Sequence, residues 1–263
     1  MMLQRWLAHP LTRGLDLDDP ATTRLRQQII RDKGVLRQIY LEWYSAIAAA
    51  LPSGDGPVLE LGAGGGFMRE WVPDLVTSEC FSVPHVRLVL DGLRLPFVAG
   101  SLRGIVMTNV LHHLSDPQAF FVEATRCVRA GGAIAMIEPW VTPWSRFVYR
   151  RLHHEPFAPD AASWRIAGNG LLSAANGALP WIMFERDRPR FEREFPAWRI
   201  DRVTPMMPFV YLLSGGVSLR SLVPGWSFAP IRALERALAP WQRSLAMFAL
   251  IVLRRLDYPH TYA

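Results

Sequence analysis

The chain has 263 residues, half of them hydrophobic and a fifth charged, a balance that can bury a sizeable core and excludes a disordered or collagen-like chain. The formal net charge is +6, yet Lys33 is the only lysine and the arginines are scattered; with no basic run interleaved with aromatics, nucleic acid is not an expected partner. Cys80 and Cys127 stand far apart and outside any CxxC pair, which argues against a disulfide framework or zinc site and fits a reducing compartment.

The opening MMLQRWLAHP lacks the sustained apolar segment of a signal peptide, and the longest apolar run, LAMFALIVL at 245–253, is about half what a spanning helix needs. The expectation is a cytoplasmic protein of one domain with an elaborated lid, with contact at a membrane surface left open. Residues 1–55 read as an N-terminal helical arm: Asp19 can cap, Pro20 suits the first helical position, and Leu25, Ile29, Leu36, Ile39, Tyr40, Trp43 and Ile47 recur at helical spacing, with Gly34 dividing two helices. The turn cluster PSGDGP at 52–57 separates this arm from the rest of the chain.

Residues 56–138 alternate short apolar strands with helical stretches, the pattern of a parallel sheet covered on both faces. Strands are expected at 58–61, 75–78, 87–90, 104–108 and 133–137, and a helix from Asp116, with Pro117 at its first position and Phe120, Phe121, Ala124, Cys127 and Val128 on its buried face. Residues 139–196, rich in Trp and Pro, read as an inserted cap. Residues 197–263 add strands at 197–205 and 246–255, joined by a segment containing the helix-like IRALERAL. The sum is a seven-stranded, doubly wound α/β fold with a helical arm and a cap.

The first strand ends in VLELGAGGGF at 58–67, and a strand that runs into glycines and then a helix suits nucleotide-type ligands at the carboxyl edge of a parallel sheet. A dinucleotide GxGxxG laid on Gly62 and Gly64 needs a third small residue where Phe67 stands, which disfavours a nicotinamide-dependent oxidoreductase. The run Glu60-Leu-Gly62-Ala63-Gly64-Gly-Gly66 instead resembles the first motif of the class I S-adenosylmethionine-dependent methyltransferases. Their Rossmann-like fold and cofactor are what the resemblance implies here, with the loop wrapped around the methionine part of S-adenosylmethionine. The resemblance also implies that Glu79 accepts hydrogen bonds from the ribose hydroxyls. In LDGLRLPF it places Asp91 at the adenine amino group, with Gly92 and the following residues flanking the ring. Asn109, in MTNVLHHL, falls at the methionine end, and VRAGGAIAMIEP at 128–139 is similar to the fifth-strand motif. One departure is Arg103, where related chains usually have an aspartate. The likeness is closest to the branch that methylates small metabolites, quinones among them.

For such a reaction the chain must hold a nucleophile in line and exclude water. His112 and His113, directly after the fourth strand, are the candidate bases, with a purely structural role for either left open. Glu138, Tyr40, His153 and His154 are candidate substrate contacts. Adjacent side chains on a helix diverge by about 100°, so His153, His154 and Glu155 are not expected to hold a metal. The apolar stretch at 207–226 fits a lipophilic or carrier-linked acceptor, ordinary burial or a dimer interface. A non-catalytic scaffold with the same fold is the remaining alternative; oligomeric state is not legible.

Overall fold

The computed structural model describes residues 9, 19–84, 86–152, 155–166, 168 and 174–257. Helix α1 (Pro20–Asp32) starts where expected: the Asp19 carboxylate accepts the Ala21 N–H at 2.8 Å, and Pro20 occupies the first position, where its missing N–H costs nothing. Lys33 is extended, and Gly34 opens α2 (Gly34–Ala50), which buries Leu36, Ile39, Tyr40, Trp43, Tyr44 and Ile47 on one face.

Seven strands come next: β1 (Val58–Leu61), β2 (Leu75–Glu79), β3 (Leu88–Val89), β4 (Leu102–Thr108), β5 (Val128–Pro139), β6 (Trp198–Met206) and β7 (Phe248–Arg255). Their order is β3-β2-β1-β4-β5-β7-β6; β1 to β5 are parallel and β7 runs antiparallel to both β5 and β6. Successive strand residues point to opposite faces, and the core divides accordingly. Leu59, Leu61, Ile105, Met107, Ile134, Met136, Ile251 and Leu253 pack under α3 (Pro117–Cys127). Val58, Val106, Ala135, Ile137, Leu250 and Val252 pack under α2. Cys127 is wholly buried in the first cluster.

The stretch at 139–196 contributes to both the pocket rim and the core. Helix α4 (Pro143–Leu152) stands over the carboxyl end of β5. Trp164, Leu179, Ile182 and Phe184, together with Phe191 of α5 (Arg188–Glu194), are buried with the α3 side of the sheet. Arg103, the residue out of pattern, ties the PSGDGP turn to β4 by donating from Nε to the Gly56 carbonyl at 3.1 Å and from a terminal nitrogen to that of Pro52 at 2.8 Å.

One expectation fails locally. The helix after the glycine loop is a single 3-10 turn, Met68–Glu70, since Pro73 and the left-handed Asp74 (φ 61°) close the connection before β2 begins at Leu75. The loop therefore has no helix N-terminus behind it. Helices α6 (Val210–Ser214) and α7 (Phe228–Ala237) and the single helical turn Gln242–Leu245 lie between β6 and β7. No helix among the described residues is long and apolar enough to cross a membrane.

Candidate active site

The chain lays down β1, β2 and β3 outward and then returns, placing β4 on the other side of β1. At that reversal the carboxyl ends of β1 and β4 open a crevice, the general ligand site of open parallel sheets. It is occupied by a cavity of ≈ 300 Å³, lined on one side by the glycine loop, Glu60, Glu79 and Gly92 and on the other by Thr108, Asn109, His112 and His113.

Bare backbone is required where the two sides approach. Gly62 has φ +71°, and a Cβ there would lie 2.5 Å from a Val110 methyl. A Cβ on Gly64 would lie 2.6 Å from Glu79 Oε1, the oxygen that accepts the Gly64 N–H at 2.9 Å. The other Glu79 oxygen accepts the Cys80 N–H at 3.1 Å. Burial pushes the Glu79 carboxyl up, the two N–H donors pull it back, and the net displacement is upward. Glu60, completely enclosed, is pushed up to about 8 by burial and then by Glu79. Two carboxyls that resist ionisation side by side make this end of the cavity receptive to a cationic ligand.

Asn109 follows β4 with φ 57°, a conformation that asparagine tolerates better than most residues. Its Oδ1 is buried with no hydrogen-bond partner, as are Thr108 Oγ1 and Thr23 Oγ1. Three orphaned oxygens among the residues lining the cavity, Thr23 beside the glycine loop and Thr108 and Asn109 across from it, leave hydrogen-bonding capacity for a ligand.

At the far end, His112 Nδ1 lies 2.6 Å from Glu138 Oε2, both groups buried. The other Glu138 oxygen accepts the Val110 and Leu111 N–H groups, each at 2.8 Å, so the carboxylate at the end of β5 fixes the turn that carries the histidines. His112 Nε2 faces Glu155 Oε2 at 3.5 Å. Burial alone would lower the His112 pKa, but the charge and hydrogen bond of Glu138, reinforced by Glu155, raise it to about 9. His113, 4.2 Å away centroid to centroid, goes the opposite way: burial, then the His112 charge, lowers it to about 3. Its Nδ1 lies 3.4 Å from the Ala174 carbonyl. Donor atoms of His112, His113 and Glu155 fall within 4.8 Å of one another, so these are the residues that could ligate a divalent cation. In the sequence Glu155 stands beside His153 and His154 instead, and those two lie outside the described residues.

Glu60, Gly62, Ala63, Gly64, Gly66, Glu79, Gly92, Asn109, His112, His113 and Tyr40 all line this cavity, and Glu138 stands directly behind it. Asp91 is not among the lining residues. Its carboxylate is exposed and accepts the Leu93 N–H at 2.9 Å, capping its own turn. Thr23 and Arg26 of α1, Tyr149 of α4, Tyr211 and the run 215–219 also line the cavity. None of these carries a local motif; the apolar character of 207–226 was the only hint in the sequence.

Residues 59–136 match the family model described as a methyltransferase domain. This segment carries the methyltransferase domain, within a sheet of the class I methyltransferase fold. Among curated relatives, the demethylmenaquinone methyltransferase of Roseiflexus sp. (strain RS-1) is 33% identical over 116 residues, which is 37% of this chain and 49% of the relative. Its counterpart from Roseiflexus castenholzii (strain DSM 13941 / HLO8) is 33% identical over 115 residues, 36% of this chain and 48% of the relative. The chain thus spans about half the length of the curated relatives it matches. Solved structures resemble it over far more of its length. Geranyl diphosphate C-methyltransferase from Streptomyces coelicolor A3(2) covers 95% of this chain and 89% of its own, at 14% identity and a TM-score of 0.54. A geranyl diphosphate methyltransferase in complex with SAM covers 95% and 96%, at 15% identity and a TM-score of 0.52. The matched methyltransferase domain contains the glycine loop, Glu79, Asp91, Asn109 and both histidines, while α1, α2, Glu155 and the rim at 207–219 lie outside it.

Proposed function

We propose that the protein transfers a methyl group from S-adenosylmethionine to a small, lipophilic acceptor held against His112. The observation that carries this reading is one cavity joining two unlike ends: buried acids and bare glycine backbone at β1 and β2, and the Glu138–His112–Glu155 array after β4 and β5. When bound, S-adenosylmethionine supplies an already activated electrophile, a methyl group on a sulfonium.

The residues fit that group. Glu79 offers a carboxylate to a ribose diol, the glycine loop admits close approach, and Thr23, Thr108 and Asn109 offer partnerless oxygens. Glu60 and Glu79, both pushed toward the neutral form, gain from a positive ligand. The pyrophosphate of a nicotinamide dinucleotide would bring negative charge to the same wall, which disfavours the oxidoreductase reading.

At the acceptor end, Tyr40, Tyr149, Tyr211 and Phe248 present mostly apolar surface, suited to excluding water and holding a flat or hydrocarbon acceptor. The demethylmenaquinone named for the curated relatives is a molecule of that character, and the geranyl diphosphate named for a solved structure has such a hydrocarbon chain joined to an anionic diphosphate. Before transfer, an acceptor O–H or acidic C–H must give up its proton. His112 in its neutral form takes it at Nε2, with Glu138 holding Nδ1–H and stabilising the imidazolium that results. His113, neutral across the physiological range, orients the acceptor as a hydrogen-bonding group.

Calorimetric titration with S-adenosylmethionine, S-adenosylhomocysteine and NADH tests the reading. Saturable binding of the two sulfur compounds alone is expected; binding of NADH alone would overturn it.

A further inference from the structure

Helix α7 buries two charged side chains. An amphipathic surface helix normally turns its apolar stripe inward, yet the buried residues of α7 are Arg232 and Glu235. The Arg232 guanidinium pairs with Glu42 of α2 and with Glu235, and Glu235 Oε1 accepts the N–H groups of Phe209 and Val210, each at 2.7 Å, at the start of α6. These charged side chains, with the partly buried Phe228 and Ile231 beside them, dock the helix on the core and leave Leu234 on its outward side. Leu234 is 58% exposed, and flanking it in the chain are Leu222, Trp226, at 79%, and Trp241.

Charge shows the same bias. Between Asp201 and Asp257 the only acid is Glu235, which is buried, whereas Arg220, Arg236 and Arg243 are exposed. Helix α4, packed against the Gln242–Leu245 turn that follows Trp241, adds exposed Phe147 and Leu152 beside Arg150 and Arg151. This surface adjoins the cavity: residues 215–219 line it and lead straight into Arg220 and Leu222. Lys33, between α1 and α2, pins that run by donating to the carbonyls of Gly216 and Leu219 at 2.5 and 2.7 Å.

We propose that the outward face of α7, with Leu222, Trp226 and Trp241, docks on an anionic phospholipid surface. Exposed tryptophans and leucines suit the headgroup boundary, and the exposed Arg220, Arg236 and Arg243 suit anionic headgroups, while Arg150 of α4 is offset by the exposed Asp160 3.8 Å away. An exposed apolar surface of this kind marks an interaction site. The docking does not depend on the methyl-transfer reading. Its consequence, that a lipophilic acceptor reaches the cavity from the bilayer past residues 215–219, does rest on that reading.

The test is co-sedimentation of the full chain with phosphatidylcholine vesicles, with and without phosphatidylglycerol, at low and high salt. Binding to the anionic vesicles is expected, weakened by salt. W226S/L234S should cut partitioning roughly tenfold or more, and R236E/R243E by a similar factor, with thermal unfolding midpoints reporting that both variants stay folded. Absence of wild-type binding to anionic vesicles would overturn the proposal, as would partitioning unchanged by either variant. So would a homodimer in light scattering that W226S/L234S dissolves, since a second copy would then cover the face. None of these readouts involves S-adenosylmethionine, so failure here and failure of the cofactor reading are separate results.

Discussion

The two ends of the cavity are made in opposite ways. The end proposed for the cofactor is local: Glu60 to Gly66 and Glu79 come from one strand-loop-strand unit, and Glu79 is held by N–H groups of that same unit, at Gly64, and of the next residue, Cys80. The acceptor end is assembled from distant parts of the chain, with Tyr40 from α2, His112 after β4, Glu138 on β5, Tyr149 on α4 and Tyr211 on α6. The difference teaches that a ligand held through backbone needs a short motif, while one held through side chains needs only that several elements end at the same place.

His112→Ala attacks the acceptor end alone and should have the largest effect. Turnover should fall by about 10²–10⁴-fold, the usual worth of a positioned base, with S-adenosylhomocysteine affinity preserved by calorimetry. Loss of both together would erase the distinction between the ends. In the wild type, kcat should climb with pH toward about 9, the value to which Glu138 and Glu155 raise His112 against its burial, because only the neutral imidazole accepts a proton.

Gly64→Ala attacks the other end. Its methyl would lie 2.6 Å from Glu79 Oε1, so the loop must shift, at a cost of about 1–3 kcal/mol, and cofactor affinity should fall before the acceptor KM changes. Glu79→Gln keeps the shape and removes the charge. It should weaken S-adenosylmethionine by roughly tenfold, the worth of a charge-assisted contact; unchanged affinity would detach Glu79 from the ribose.

Glu60→Gln has the smallest expected effect and the sharpest pH signature. The native carboxyl titrates near 8 rather than 4.5, so between those values the folded chain keeps a proton that the unfolded chain has released. Stability from this group therefore declines as pH rises from 4.5 and levels off above about 8. The variant should melt a few degrees above wild type at pH 8 and near it at pH 4.5, by calorimetric scanning. Wild-type affinity for the cationic cofactor should rise over the same window, and a flat profile would remove Glu60 from the cofactor end.

The glycine loop, Glu79, Asn109 and the histidine pair were legible because the motifs and the expected strands pointed to one crevice. Asp91 stands off the cavity lining: its carboxylate accepts the N–H two residues on and closes an Asx turn, a local bond that a motif does not reveal. The helix missing after Gly66 was equally invisible, since its residues are compatible with helix and only the short distance to β2, with Pro73 and Asp74 closing it, forbids one. Glu155 looked like part of a histidine run until the fold carried it to His112.

What the sequence by itself determined is the seven-stranded alternating sheet, the capped helices α1 and α3 and the glycine-lined end of the cavity, because strand period, capping and close backbone approach act over a few residues. Only the tertiary structure decided that Glu138 would brace His112, that Glu155 would face it, and that α7 would turn Arg232 and Glu235 inward and leave Leu234 exposed. Those outcomes depend on which buried charges meet across the fold, and the cost of burying a charge unpaired is settled by partners far away in the chain.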